Sequence, residues 1–496
     1  MSTTESPTDN ASGGLRKGRL GVAGIVFFVV AAAAPLVGMT GAVPVAIVLG
    51  NGAAAPGAYL FVGITLLLFS VGYAAMSQRV TNAGAFFAYV GRGLGKHAGV
   101  ASAFVSILAY LAIQLAIYGF FGGVIAAQVG ILPWWAWTLI AWVVVTALSL
   151  LSVDVGAKVL GVLLSLELLA LVVTSIAILA NGGPEGLNFA ASFSPDKILV
   201  GGLAGSAGIA FAFAFASFIG FEATAIYGEE SKDPKRIVPR ATYLAVIVIT
   251  VLFALVSFAM VTGMGSSAVI DQTLERSGGL VDPAAVLFTL ASEYVGPWMA
   301  TVMSFLVLSS LFAGLLAFQN SASRYLFAMG RASVLPTGLA KVNGRGAPSR
   351  ASIVTSIISG AIIVIFAIFQ LDPVVNLFFW FSGLAVVAIV LIEILVCVAI
   401  IAYFRANKGS ENVFVTVIAP VLAGIGLLLG EYLLMSRFGL LAGTVAEGVD
   451  PTVTPWGLNA LGWFLILLPF AVLAIGFILS STRKSVNEEL LKDVIS

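Results

Sequence analysis

The chain is 496 residues long, 60% hydrophobic and 9% charged, and its 24 lysines and arginines against 23 acidic residues leave a net charge of +1. A soluble domain carries about 25% charged residues, so a chain this apolar excludes a water-soluble fold and takes lipid as its solvent. The balanced charge excludes a nucleic-acid surface. The lone Cys397 and lone His97 exclude an intrachain disulfide and a metal cluster built on cysteine or histidine.

Residues 1–19 read as a disordered polar tail, because the apolar run that follows is too long for a signal peptide. A spanning helix needs about 20 apolar residues. Twelve such segments follow in chain order, at about 20–50, 57–78, 98–130, 133–152, 157–181, 203–228, 240–264, 295–329, 351–371, 374–403, 412–436 and 456–481. They make a transmembrane domain over 20–481, followed by a short polar tail over 482–496. Twelve spans put both chain ends on one side, and that side then holds 21 basic residues against three, Lys197, Arg276 and Arg437, on the other. This asymmetry predicts that both termini are cytoplasmic. His97, beside Lys96 at a membrane edge, reads as interfacial, and Cys397, in an apolar run, as a small packing residue. The loop over 265–294 is acidic and contains a helix-like stretch, Asp282–Glu293, which suits either an outer lid or a solvated connection.

Glycine and proline inside a span leave backbone groups unpaired, and lipid cannot satisfy them. The first span carries Pro35, Gly38, Gly41 and Pro44 near its middle, and the sixth carries Gly220 two residues before Glu222. These spans open two halves of five, and interrupted segments at matching places in two halves mark the binding site of an inverted-repeat transporter. A broken helix presents amide N–H groups at one end and carbonyls at the other. Two facing breaks can therefore hold a zwitterion without a charged side chain.

Four carboxylates fall inside spans: Glu167, Glu222, Glu393 and Glu431. Intramembrane charge is expensive and marks function by default. Glu222 at the break and Glu167 in the fifth span are the coupling candidates, whereas Glu393 and Glu431, with no break nearby, read as packing or interfacial groups. Gln114 lies on one helical face with Tyr110 and Tyr118. Ser309, Ser310, Gln319 and Asn320 add polarity to the eighth span.

The segment Gly220–Ala223 followed by Glu229–Ala241 resembles the signature joining the sixth and seventh helices of the amino acid–polyamine–organocation (APC) permeases. Asn82–Tyr89 and Asn320–Arg331 resemble two further stretches of that family. The resemblance covers the chain beyond its first tail and implies an all-α membrane fold of the LeuT type. About twelve helices are expected: an inverted 5+5 repeat (about 20–181 and 203–403) with broken first and sixth helices, and two added helices (about 412–481). It implies alternating access, a carboxylate cradle at Gly38, Met39, Thr40 and Gly41, ammonium-binding carbonyls at Leu36, Ala216 and Ile219 beside Gly220, and a pocket residue at Gln114. The sequence departs from common family members in three places. Met39 lies where a Gly-Ser-Gly run is frequent, Ala216 replaces a large aromatic residue, and Glu167 falls where several relatives carry lysine.

The expectation is thus a secondary transporter, not an enzyme, that imports amino acids across the cytoplasmic membrane. It is proton-coupled through Glu222 and Glu167 and needs no cofactor beyond the coupling ion. A polyamine or other amine substrate, exchange instead of symport, and sodium coupling through Ser309 and Ser310 are the alternatives. An integral membrane enzyme and a channel are distant ones. Partners are a small-molecule substrate and the lipid bilayer, with the oligomeric state left open.

Overall fold

The computed structural model describes residues 21–80, 86–151, 154–226, 228, 231–407 and 409–482. The two tails, Asn82–Ala85 and Glu229–Glu230 of the sequence motifs, and the side chain of Lys158 lie outside the described residues. Within them every regular element is helical, with one isolated bridge between Val445 and Leu458.

Ten helical stretches are long and apolar enough to cross a membrane. The first, Val22–Arg79, holds two spans, because Gly50 leaves helical geometry (φ −102°, ψ −116°) and Gly52 has φ +60°. The sixteen-residue apolar helix Trp134–Ser149 adds another span. In order they are α1 (22–51), α2 (Ala55–Arg79), α3 (Lys96–Val129), α4 (Trp134–Ser149), α5 (Asp154–Asn181), α6 (207–226), α7 (Pro234–Met264), α8 (Pro297–Arg331), α9 (Ser349–Ile368), α10 (373–406), α11 (414–436) and α12 (Ala460–Thr482). The boundaries lie within a few residues of those expected. The largest shift is at α7, which begins at Pro234 and not after Pro239. Pro239 sits inside the helix near its start, where its missing N–H leaves only one carbonyl without a partner.

Neighbour relations repeat when helix n is exchanged for helix n+5. The α1–α7 contact has its counterpart in α6–α2, α5–α8 in α10–α3, α4–α8 in α9–α3, and α5–α7 in α10–α2. The contacts α2–α7, α3–α8 and α4–α9 map onto themselves and include the most extensive in the molecule. Two halves of five spans each must enter the membrane from opposite sides, so this pattern is an inverted repeat. α11 packs on α10, α2 and α6, and α12 packs on α3. His97 meets Ser480 of α12 (3.0 Å), and Cys397 is buried.

A short helix packs on the face opposite the basic loops. Ala284–Tyr294, within the acidic loop, is an amphipathic helix whose Val286, Leu287, Leu290 and Ala291 are buried against α8 and the second half of α1. The Tyr294 hydroxyl donates to the Gly263 carbonyl (2.9 Å). Of the two readings of this loop, it is a packed cover and not a solvated connection. On the basic side, Arg79 at the end of α2 pairs with Glu411 before α11, and the guanidinium holds the Glu411 carboxyl below its usual range.

The α2–α7 contact depends on Gly63, where a Cβ would fall 2.3 Å from the Thr250 side chain. Gly63→Val is expected to cost about 1–3 kcal/mol and to lower the unfolding temperature in detergent. Thr250→Ala in the same chain should recover part of that loss, as read by scanning fluorimetry.

Candidate functional site

The chain opens α1 at Ala34. Proline disfavours helical geometry in the residue before it, and Ala34 takes the left-handed conformation (φ 43°, ψ 68°) ahead of Pro35. Pro35 has no N–H. The next one, Leu36 N–H, turns from its helical acceptor, the Ala32 carbonyl, and donates to Glu167 Oε1 of α5 at 2.5 Å. The same oxygen accepts from the Ser310 hydroxyl of α8 at 2.9 Å. Glu167, 2% exposed, thereby caps the positive end of the second half of α1 and links it to α5 and α8. A small cavity of about 10 Å³, lined by Ala31, Leu163, Leu164, Glu167, Ser309, Ser310 and Ala313, lies beside this carboxylate. That is room for about one water. It sits on the basic-face side, since Ala31 and Leu163 precede the break and Glu167 along helices that both start at that face. The Ser309 hydroxyl turns back to the Leu306 carbonyl (2.8 Å) of its own helix.

Gly38–Ala42 is not unwound. It forms one wide turn of i→i+5 hydrogen bonds, wholly buried, beginning four residues after Ala34. The four cradle candidates, Gly38, Met39, Thr40 and Gly41, thus lie inside the second half of α1, one turn beyond its open amide end at Leu36. The Leu36 carbonyl accepts the Thr40 hydroxyl at 2.7 Å. The missing Cβ atoms let α1 sit close to its neighbours. One at Gly38 would meet Ser217 Oγ at 3.2 Å, and one at Gly41 the Phe120 ring at 3.0 Å.

The second break follows Phe218. Ile219 leaves the helix (φ −55°, ψ 128°), and Gly220 has φ +114°. A Cβ at Gly220 would stand 2.8 Å from the Ala32 Cβ, so the two breaks pass directly beside each other. Glu222 folds back on this turn. Its Oε2 accepts the Gly220 N–H (2.9 Å), and its Oε1 accepts the Tyr110 hydroxyl of α3 (2.8 Å). The Tyr73 hydroxyl of α2 donates to the Glu222 carbonyl (2.7 Å). Ala216, one turn before the break, keeps accessible surface while the rest of Ala207–Ile226 is buried, so a gap lies at its side.

The structure thus brings Leu36, Glu167 and Ser310 together at the α1 break, sets the Gly220 turn beside Ala32 of α1, and leaves Ala216 partly accessible one turn before that turn. Gln114 is turned elsewhere. Its amide donates to Gln319 of α8 (2.8 Å), which reaches Ser356 of α9 (2.9 Å), itself bonded by Thr146 of α4 (2.9 Å). Glu393 and Glu431 are buried between α10, α11 and their neighbours, not at the interface. Tyr73 and Ala34 escaped the sequence reading. A proline after four alanines was the signal for Ala34, whereas a tyrosine in an apolar span carries no mark of what it bonds.

The amino acid permease family matches residues 24–479. The chain belongs to the amino acid permease family. An uncharacterized transporter of Legionella pneumophila is 23% identical over 75% of this chain and 80% of its own. An amino-acid permease of Candida albicans is 25% identical over 68% of this chain and 53% of its own. The branched-chain amino acid permease BcaP of Lactococcus lactis is 31% identical over 27% of each chain. The protein is therefore a multi-pass membrane transporter and not an enzyme.

In this permease Tyr110→Phe would remove a donor from a fully buried carboxylate. It is expected to lower stability by about 1–3 kcal/mol, measured by thermal unfolding against wild type in the same detergent.

Proposed function

We propose that this permease imports amino acids across the cytoplasmic membrane by alternating access, coupled to protons at Glu167 and Glu222. The observation that supports this most directly is the placement of Glu167. One carboxylate oxygen holds both the open amide end of α1 and the Ser310 hydroxyl of α8. An ionised carboxylate is the stronger acceptor, so protonation loosens both bonds at once. The Leu36 amide is then free for the carboxylate of an incoming amino acid, and the first half of α1 is free to pivot at Ala34. Proton and substrate entry are tied together because both act on one amide end.

The substrate class rests on the family and on relatives named as amino acid permeases, including branched-chain ones. The cradle over Gly38–Gly41, with the Ala216 and Ile219 carbonyls for the ammonium group, is the expected pose around the paired breaks. The cytoplasmic termini rest on the distribution of basic residues, and the inward direction follows from coupling to an inward proton gradient. The sodium alternative puts a cation between Ser309, Ser310 and α1 carbonyls, where the Glu167 carboxylate would be one more oxygen ligand, so the choice of ion rests on the uptake measurement.

Reconstituted protein is expected to accumulate labelled amino acid along an imposed proton gradient. Glu167→Gln should retain exchange but lose the dependence on the gradient. Uptake that follows sodium and ignores the pH gradient would reverse this reading, and competition by putrescine, with none by amino acids, would move the substrate to the amines. Ala216→Phe should fill the gap beside the break and weaken substrate affinity about tenfold or more with an unchanged unfolding temperature, measured by concentration-dependent uptake.

A further inference from the structure

The hairpin of α8 and α9 carries charge of one sign. Between Glu293 and Asp372 the sequence holds no acidic residue, while the loop joining the two helices and the start of α9 carry Lys341, Arg345 and Arg350. All three are exposed, and none forms an ion pair among the described residues. On the same basic face Arg79 pairs with Glu411 and Arg236 with Asp233. The loop is held in place. The Asn343 side-chain oxygen accepts the Arg345 and Ala347 N–H groups (3.0 and 3.1 Å), and its amide donates to the Leu150 carbonyl at the end of α4 (2.8 Å). The Asn343 backbone N–H donates to the Ala347 carbonyl (2.9 Å), which closes a turn with Arg345 at its tip. A Cβ at Gly338 would fall 3.1 Å from Arg350 Nη1, so this guanidinium lies over the turn Thr337–Ala340 that leads directly into Lys341.

The surface beside these cations is apolar. Ser352, Ser356, Ser359 and Ile363 of α9 are buried against the protein, and Ser352 meets Ser149 of α4 at 2.5 Å. On the other side of the helix Ile353, Ile357, Ala361, Val364 and Ile368 are exposed. They recur at intervals of three and four, so they form one row along the helix. The row is wholly aliphatic, and Arg350 heads it three residues earlier. At 1.5 Å per residue it runs about 22 Å, most of the depth of a bilayer's hydrocarbon core. An exposed aliphatic row on a spanning helix faces acyl chains. The cation at its end then stands at the level of the headgroups, with two more cations beside it. The chemistry that fits is an amphiphile with a negative head and apolar tails.

We propose that Lys341, Arg345 and Arg350 bind the headgroup of an anionic phospholipid whose acyl chains lie along the exposed row of α9. Three cations with no carboxylate among them attract a headgroup of net negative charge. A zwitterionic headgroup gains little there, because its own ammonium group offsets its phosphate. Asn343 ties the loop to α4, and Ser352 ties α9 to the same helix, so a lipid bound across the loop and α9 steadies the α4–α9 corner of the frame. The site lies away from the two breaks and stands whichever ion drives transport.

The test uses the full chain purified in neutral detergent, with thermal unfolding followed at rising concentrations of dioleoyl phosphatidylglycerol or dioleoyl phosphatidylcholine. Phosphatidylglycerol should raise the unfolding temperature with the logarithm of its concentration, and phosphatidylcholine should raise it less. Lys341→Gln, Arg345→Gln and Arg350→Gln together should move the phosphatidylglycerol response to concentrations about tenfold higher or more, with the unfolding temperature in phosphatidylcholine unchanged. Lys235→Gln, Arg240→Gln and Arg405→Gln together remove equal charge elsewhere on the basic face and should keep the wild-type response. Wild type in about 1 M salt, where the Debye length is about 3 Å, should lose most of its preference for phosphatidylglycerol. Equal responses to the two lipids, a Lys341, Arg345 and Arg350 variant that responds like wild type, or a preference that survives high salt would each overturn the site. So would equal loss in the Lys235, Arg240 and Arg405 variant, which would mean diffuse attraction, or equal stabilisation by inorganic phosphate alone.

Discussion

Lipid offers no hydrogen-bond partner, so every backbone group released from a helix inside the membrane must be met by the protein itself. This constraint organises the centre of the molecule. Ala34 and Pro35 open α1, and the exposed Leu36 amide is met by Glu167 from α5. Ile219 and Gly220 open α6, and the exposed Gly220 amide is met by Glu222 two residues on. Each break is closed by one carboxylate. A group that can take up a proton thereby holds the backbone geometry that forms the site. Removing charge from either carboxyl weakens the closure of its break without altering any apolar contact.

The surroundings divide accordingly. α3, α4, α8 and α9 are cross-linked by side-chain bonds running from Gln114 through Gln319 to Ser356 and Thr146. Long polar side chains bonded across helices give a frame that resists sliding. α1 and α6 instead meet at backbone turns, with Ala32 against Gly220, and are held by bonds that depend on charge. The cover helix Ala284–Tyr294 presses on the second half of α1, while the small cavity at Glu167 lies toward the basic loops. A short helix thus packs on one side of the breaks, and the small cavity at Glu167 lies on the other.

Much of the scaffold was legible beforehand, because hydrophobic length and basic asymmetry act locally along the chain. Twelve spans were read within a few residues, and the paired interruptions in the first and sixth were visible as proline and glycine. The site was legible in part. Glu167 and Glu222 stood out because intramembrane carboxylates are rare. The interruption of α1 was read over Pro35–Pro44, and the chain opens at the start of that stretch, at Ala34 and Pro35, while the glycines at 38 and 41 lie inside the helix that follows. Those glycines serve close packing against Ser217 and Phe120, and glycine in a span does not announce which of its two uses applies.

Composition, span length and loop charge by themselves determined that this is a polytopic helical membrane protein, because each property is carried by consecutive residues. Only the tertiary structure decided which groups meet. That Glu167 reaches Leu36 across 131 positions and that Gln114 bonds Gln319 across 205 both depend on how the two halves pack. A helix period places a side chain on a face, but the partner on that face comes from a distant part of the chain, and only the folded molecule brings it there.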